Sequence, residues 1–89
     1  MEATVLVVDD VGANQNLLRQ TLEPPSYELL LASDGETALQ VARRAHPDLI
    51  LLDIMMPGID GYETCRRLKT DATTREIPVL FITAKDETP

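Results

Sequence analysis

The sequence lacks the features that mark secreted, zinc-binding and membrane proteins. It has a single cysteine, Cys65, so an internal disulfide and a multi-cysteine metal site are both excluded. Residues 1–4 carry no basic side chain, and no apolar run approaches the roughly 20 residues of a membrane span. These absences favour a cytosolic protein without a membrane partner.

Basic residues are also scarce, with 8 Lys and Arg against 15 Asp and Glu, so the net charge is −7. A surface of this sign repels the phosphates of nucleic acid, and direct nucleic-acid binding is not expected. The 89 residues are enough for one domain, and 44% apolar with 26% charged residues is the balance of an ordinary globular chain. We therefore expect a single folded domain.

Four apolar runs predict β-strands, and the ends of three of them carry polar side chains. The runs cover residues 4–8, 27–32, 49–52 and 79–83. Continuous runs of this kind are typical of strands buried on both faces. The first run stops at Asp9-Asp10, the third at Asp53, and the fourth ends in Thr83.

Three stretches between these runs predict helices. The first starts at Asn14 and ends at the proline pair 24–25. The second opens with a capping box, in which Ser33 is the N-cap and Glu36 follows three residues later. The third opens at Asp60 and runs to about residue 69. The apolar face of the second helix is predicted to contain Ala38, Leu39, Ala42 and Ala45.

The alternation of these elements, βαβαβαβ, predicts an α/β fold with a doubly wound parallel sheet. Sites in such sheets form beyond the carboxyl ends of the strands, at the point where the strand order reverses. If the first and third strands are neighbours there, the carboxylates of Asp9, Asp10 and Asp53 converge, and the hydroxyl of Thr83 can reach the same crevice. A single acid at a strand end is usually a turn residue or helix cap, but this set favours a metal or phosphoryl site.

The chemistry of the set suits Mg²⁺ and a phosphoryl group. Converging carboxylates repel one another, so either a proton or a cation has to neutralise them. Oxygen ligands suit a hard ion such as Mg²⁺, which would also offset the charge of an incoming phosphoryl group. A carboxylate such as Asp53 can itself act as a nucleophile and form an aspartyl phosphate.

Five segments, in this order and spacing, resemble the receiver domain of two-component response regulators. They are Val-Leu-Val-Val-Asp-Asp at 5–10, Ala-Ser-Asp-Gly at 32–35, Pro-Asp-Leu-Ile-Leu-Leu-Asp at 47–53, Met-Pro-Gly-Ile-Asp-Gly at 56–61, and Ile-Pro-Val-Leu-Phe-Ile-Thr-Ala at 77–84. The resemblance covers the whole chain. It implies a flavodoxin-like receiver fold in which the strands present here follow the order 2-1-3-4.

The resemblance also implies a role for each residue of the set. Asp53 would accept a phosphoryl group from a sensor histidine kinase or a phosphotransfer protein, and the domain would signal to an output domain or a downstream effector. Mg²⁺ would be bound by Asp10 and Asp53, by Asp9 through water, and by the backbone carbonyl of Met55. Thr83 would hydrogen-bond the phosphoryl oxygen and act as the switch.

Two departures from a typical receiver affect these expectations. Family members continue into a further helix, strand and helix, and that strand supplies a lysine that pairs with the phosphoryl group. Residues 1–89 are therefore expected to form an incomplete receiver. The strand at 79–82 would then be an edge that is apolar on both faces, so the chain should self-associate through it or belong to a longer chain.

The second departure concerns the lifetime of the phosphoryl group. The residues two positions after the acceptor and after the switch threonine influence its hydrolysis in this family, and here they are Met55 and Lys85. Methionine cannot orient an attacking water through a strong hydrogen bond. A comparatively long-lived aspartyl phosphate is expected.

Two other classes of protein compete with this interpretation. A phosphatase of the haloacid dehalogenase type also uses an aspartyl phosphate, but it requires an aspartate two residues after the nucleophile. Position 55 is methionine, and position 11, two after Asp9, is valine. A non-catalytic interaction module with a receiver-like fold is the other alternative, and it would have no reason to bind Mg²⁺.

Overall fold

The computed structural model describes residues 3–9 and 27–82. Within these ranges the chain forms four strands and two helices. In chain order they are β1 (Ala3–Val8), β2 (Tyr27–Ala32), α1 (Gly35–Ala45), β3 (Leu49–Asp53), α2 (Gly61–Thr70) and β4 (Val79–Ile82). The helix predicted between residues 14 and 22 lies outside the described residues.

The four strands form one parallel sheet in the order β2-β1-β3-β4. This confirms the predicted fold class and strand order. Each predicted strand agrees with the structure to within one residue, because each strand is mostly apolar and is bounded by polar or proline residues. Only the end of β4 at Thr83 lies outside the described residues.

Both faces of the central strands are buried, and this explains their unbroken apolar sequences. One face carries Leu6, Val8, Ile50 and Leu52, none of which is exposed, and α1 and α2 pack on it through Ala38, Leu39, Ala42 and Leu68. Val5, Val7 and Leu51 form a second buried cluster on the opposite face. Burial of each large side chain stabilises the fold by about 1.5–3 kcal/mol.

The N-cap of α1 is Asp34, so the prediction of Ser33 as the cap is wrong by one residue. The Asp34 carboxylate accepts a hydrogen bond of 2.7 Å from the backbone N–H of Thr37, and this bond lowers its pKa. Asp34 has extended backbone geometry, as an N-cap requires. Both side chains can cap a helix, and an ionised carboxylate at this end gains additionally from the helix dipole.

The predicted inner face of α1 is confirmed at Ala38, Leu39 and Ala42 but is wrong at Ala45, which is exposed. The helix ends at Ala45, and His46 adopts a left-handed conformation with φ of 49°. Its N–H donates to the carbonyl of Ala42 at 3.0 Å and closes the last turn. The buried positions of the helix thus end at Ala42, about one turn before Ala45, which is the last residue of the helix.

The start of α2 is as predicted. Asp60 is the N-cap and accepts a 2.9 Å hydrogen bond from the N–H of Glu63. The helix ends at Thr70, and Cys65 on its inner side packs against the core as a half-buried free thiol. Neither helix of the described part of the chain is long and apolar enough to span a membrane.

Ion pairs tie the outer surfaces of the two helices together. Arg43 of α1 contacts Asp71, the residue after α2, with 2.7 Å between Nε and Oδ2. Arg67 of α2 contacts both Glu63, at 2.8 Å, and Glu36 of α1, at 3.4 Å. Pairs this exposed contribute little individually, but they fix how the two helices lie beside each other over the sheet.

The Arg43–Asp71 pair predicts a pH dependence of stability. The Arg43 guanidinium, with hydrogen bonds from Thr73, lowers the pKa of Asp71 from 3.8 to about 2. Because the folded pKa is the lower one, the carboxylate stabilises the fold above its ordinary pKa, and this contribution is lost as the pH falls towards 2. We expect Asp71→Asn to lower the melting temperature slightly at neutral pH, and the gap to wild type to close between about pH 4 and pH 2.

Thermal melts of both proteins across this pH range measure the effect. Glu76→Gln is the matched control, since Glu76 is exposed and makes no ion pair with a described residue. A gap between Asp71→Asn and wild type that stays constant down to pH 2 would contradict the assignment.

The β4 edge predicts self-association of the 89-residue chain. Among the described strands β4 is at one edge, and two of its apolar side chains are exposed, Leu80 at 57% and Phe81 at 39%. Exposed apolar edge strands are templates for pairing with a second chain. We expect Leu80→Lys to shift the sedimentation of the chain towards monomer, and Gln40→Lys on the exposed surface of α1 to leave it unchanged. A wild-type chain that sediments as a monomer, with a cooperative and concentration-independent melt, would refute this expectation.

Candidate functional site

The pairing of β1 with β3 places two aspartates side by side. Val8 and Leu52 are partners in the parallel register, and Asp9 and Asp53 are the next residues of the two strands. Neighbouring parallel strands lie about 4.8 Å apart. Both aspartates are buried, with 0% and 1% of their surface exposed. The structure therefore places the residues Asp9 and Asp53 side by side at the carboxyl end of the sheet.

Asp9 is held by the sheet itself. Its backbone N–H donates to the carbonyl of Ala32 at 3.0 Å, which extends the β1–β2 ladder by one residue past the end of β1. Ala32 is buried. The backbone of Asp9 is thus fixed by its own hydrogen bond on the β2 side and by the pairing of the preceding residue, Val8, with Leu52 of β3.

Asp53 is the last residue of β3 and lies between β1 and β4, where its register partner is Ile82. Its Oδ1 accepts a hydrogen bond of 3.2 Å from the backbone N–H of Met55. This contact turns the β3–α2 loop back over the carboxylate. It also orients the carboxylate, because a backbone donor two residues away leaves few rotamers that satisfy it.

Gly61 is a residue of the site that sequence reasoning missed. Its N–H donates to the carbonyl of Ile54 at 2.8 Å, and a Cβ built at this position would lie 2.3 Å from the carbonyl oxygen of Asp53. The first residue of α2 therefore packs directly on the backbone of the Asp53 segment. The sequence does show a glycine immediately after an N-cap aspartate. The close packing of this glycine on the backbone of Asp53 is a tertiary contact, however, which a local sequence pattern does not reveal.

The two methionines of the loop have different environments. Met56 is buried in the core, whereas Met55 is 58% exposed. Met55 and Tyr62 border an open groove of about 410 Å³ whose described lining includes neither Asp9 nor Asp53. The side chain of Met55 is therefore exposed to solvent, while its backbone N–H binds the Asp53 carboxylate.

The structure accounts for part of the predicted site. It places Asp9 and Asp53 side by side and puts the N–H of Met55 on the Asp53 carboxylate, while the metal-binding role predicted for the Met55 carbonyl stays a prediction. The predicted metal ligand Asp10 and the predicted switch residue Thr83 lie outside the described residues, and their roles stay predictions.

The donor set fits Mg²⁺ in its chemistry. Residues 3–9 and 27–82 contain no cluster of three or more acidic, histidine or cysteine side chains suited to a metal. They do contain two buried carboxylates at neighbouring strand ends, and such a pair is costly unless a proton or a cation compensates it. Oxygen-only donors suit Mg²⁺, which binds through one or two carboxylates and keeps several waters.

Comparison with known proteins identifies the family. The family model described as the response regulator receiver domain matches residues 5–89. The chain belongs to the response regulator receiver domain family. It is thus a module of phosphorylation-dependent two-component signalling, and the haloacid dehalogenase alternative is set aside.

Relatives in sequence and in structure agree with this assignment. The response regulator PleD of Caulobacter vibrioides is 57% identical over 86 residues, which are 97% of this chain and 19% of PleD. The N-terminal domain of a response regulator receiver protein from Methanoculleus marisnigri superposes with a TM-score of 0.88 at 47% identity, covering 98% of this chain and 71% of that one.

A second solved structure bears on the metal. The receiver domain of the sensor histidine kinase PA1611 from Pseudomonas aeruginosa has a TM-score of 0.87 at 30% identity, covering 96% of this chain and 70% of that one. That structure has a magnesium ion coordinated in the active site cleft. The present chain spans about a fifth of the length of PleD, so the partners and output of the whole protein are matters for proposal.

Proposed function

We propose that Asp53 accepts a phosphoryl group from a phosphohistidine of a sensor histidine kinase or phosphotransfer protein, and that the phosphorylated domain signals to an output domain or downstream effector. The observation that supports this most directly is the pair of buried carboxylates, Asp9 and Asp53, fixed side by side by the β1–β3 register. A buried carboxylate at a strand end in a receiver domain is suited to act as the nucleophile.

The proposed step is a displacement at phosphorus. An oxygen of Asp53 forms the new P–O bond while the P–N bond to the donor imidazole breaks, and the imidazole nitrogen takes up a proton. The Met55 N–H on Oδ1 orients the carboxylate for this attack. Catalysis of phosphoryl transfer is mainly positioning and electrostatic stabilisation, so a carboxylate already fixed by sheet and loop needs little reorganisation.

Four residues would hold Mg²⁺ at this position. Asp10 and Asp53 would supply carboxylates, Asp9 would act through water, and Met55 would supply its backbone carbonyl. The ion would offset the negative charge of the phosphoryl group. Thr83 follows Ile82, the register partner of Asp53, and its hydroxyl would hydrogen-bond the phosphoryl oxygen and act as the switch.

We also propose that residues 1–89 are one incomplete receiver domain. The chain spans 71% and 70% of the two solved receivers above, and β4 exposes Leu80 and Phe81. A further strand beside β4 would cover this edge and supply the lysine that family members place at the phosphoryl group. The same exposed edge is what favours the second candidate function, a non-catalytic interaction module.

Phosphorylation of Asp53 is the test of the proposed function. In a chain completed by the C-terminal helix, strand and helix of a family receiver, a small phosphodonor with Mg²⁺ should add one phosphoryl group, located on Asp53 by mass spectrometry. Asp53→Asn should abolish the modification because the amide oxygen is a poor nucleophile. Removal of Mg²⁺ with a chelator should also suppress it.

The matched control is Asp34→Asn, which removes one carboxylate but keeps the cap of α1, because asparagine caps helices as well as aspartate does. It should be phosphorylated like wild type. A phosphoryl group on any other residue of the wild type would overturn the assignment of Asp53. A chain that neither binds Mg²⁺ nor takes a phosphoryl group would be the interaction module.

The exposed side chain of Met55 predicts slow loss of the phosphoryl group. Its thioether cannot hold an attacking water by a strong hydrogen bond, whereas an asparagine amide can. We expect Met55→Asn to speed hydrolysis of the aspartyl phosphate several-fold, measured as the decay of the phosphorylated protein after the donor is removed. Met56→Leu, a change of similar volume at the buried neighbour, should leave the decay unchanged. Equal or slower decay in Met55→Asn would count against this role of Met55.

A further inference from the structure

We propose that Gly61 is a positioning residue for phosphoryl transfer, because the first residue of α2 packs on the backbone of the phosphoacceptor and holds its carboxylate in place. This inference rests on the proposed function of Asp53. It assigns to the start of α2 a role in the reaction in addition to its role in the fold.

The contact is too close for any side chain. A Cβ at position 61 would lie 2.3 Å from the carbonyl oxygen of Asp53, 2.7 Å from the Cα of Ile54 and 3.0 Å from the carbonyl carbon of Asp53. All three atoms are backbone, so no rotamer change relieves the overlap. Either the peptide group between Asp53 and Ile54 or the first turn of α2 has to move.

The first turn of α2 is itself anchored and resists such movement. Gly61 donates its N–H to Ile54 at 2.8 Å, and Asp60 caps the helix through the N–H of Glu63 at 2.9 Å. Thr64 is buried and donates both its N–H and its hydroxyl to the carbonyl of Asp60, at 2.9 and 2.8 Å. A methyl group at position 61 is therefore expected to displace the Asp53 peptide.

A displaced peptide moves the carboxylate. The side chain of Asp53 leaves the Cα that is bonded to this carbonyl carbon, so a shift of the peptide also shifts the carboxylate relative to the N–H of Met55, which donates to Oδ1 at 3.2 Å. Phosphoryl transfer depends on in-line geometry, and small misplacements of a reacting group cost large factors in rate. The glycine is required for the space and not for its backbone freedom, since Gly61 does not have positive φ.

Gly35 provides a matched control within the same chain. It is the first residue of α1, it also follows an N-cap aspartate, and it is as crowded as Gly61. A Cβ there would lie 2.2 Å from the hydroxyl oxygen of Thr64 and 2.5 Å from Cγ1 of Ile59. These are side-chain atoms on the α2 side and not the backbone of Asp53. Gly35→Ala thus measures how crowding at the first residue of a helix changes the phosphorylation rate when the added methyl group does not contact Asp53.

The experiment compares Gly61→Ala with Gly35→Ala in the completed chain used to test Asp53. The maximal rate of phosphorylation by a small phosphodonor, the donor concentration at half-maximal rate, and the amide resonance of Met55 are measured on the folded fraction of each protein. We expect Gly61→Ala to lower the maximal rate about tenfold or more, with little change in the half-maximal concentration. The chemical shift of the Met55 amide resonance should change in Gly61→Ala and should be unchanged in Gly35→Ala.

Several outcomes would overturn the proposal. Rates that fall equally in both variants would make Gly61 a structural glycine only, as would an unshifted Met55 amide in Gly61→Ala. If Gly61→Ala is unfolded in buffer, both variants are assayed in a stabilising osmolyte such as trimethylamine N-oxide. A Gly61→Ala that stays unfolded there while Gly35→Ala folds would also assign it a structural role. A wild type without phosphoryl group on Asp53 is a different result, since it refutes the proposed function itself.

Discussion

The parallel pairing of β1 with β3 is the interaction on which the rest of the structure depends. It sets Val8 opposite Leu52, so the next residue of each strand is an aspartate at the same level of the sheet. Side chains of both strands alternate between two differently packed buried clusters, and a slip of the register by one residue would exchange these two sets of side chains. The cost of such a slip in the core therefore holds the two carboxylates in place, and the geometry of the site follows from hydrophobic packing.

The loop and helix after β3 add a second level of constraint. Met55 binds the Asp53 carboxylate through its N–H, and Gly61 packs on the Asp53 carbonyl. Thr64, one turn further along α2, lies against Gly35 at the start of α1. The acceptor segment, α2 and α1 thus form one continuous series of backbone and side-chain contacts.

Sequence patterns predicted this architecture well where one local signal decides the outcome. The strands are mostly apolar segments bounded by polar or proline residues, and this pattern predicts their positions. Asp60 is a residue type that caps helices, and it is the N-cap of α2 as predicted. The cap of α1 was misplaced because Ser33 and Asp34 are both competent caps, and the burial of Gly35 against Thr64 and Ile59 is a tertiary contact. Gly61 was missed for the same reason. A Cβ at position 61 would lie 2.3 Å from the carbonyl oxygen of Asp53, eight residues earlier, and this lack of space has no signature in composition or periodicity.

The burial of Asp9 and Asp53 has a thermodynamic consequence for the domain. Two carboxylates buried beside each other need a partner that offsets their charge, and the sheet prevents them from moving apart. Any ligand that neutralises this pair in the folded state, and not in the unfolded chain, must therefore stabilise the fold by mass action. Under the proposed function, cation binding and folding are coupled at this site. Under the same proposal, the backbone pairing that holds Asp9 and Asp53 side by side would also prepare them for a divalent cation and a phosphoryl group.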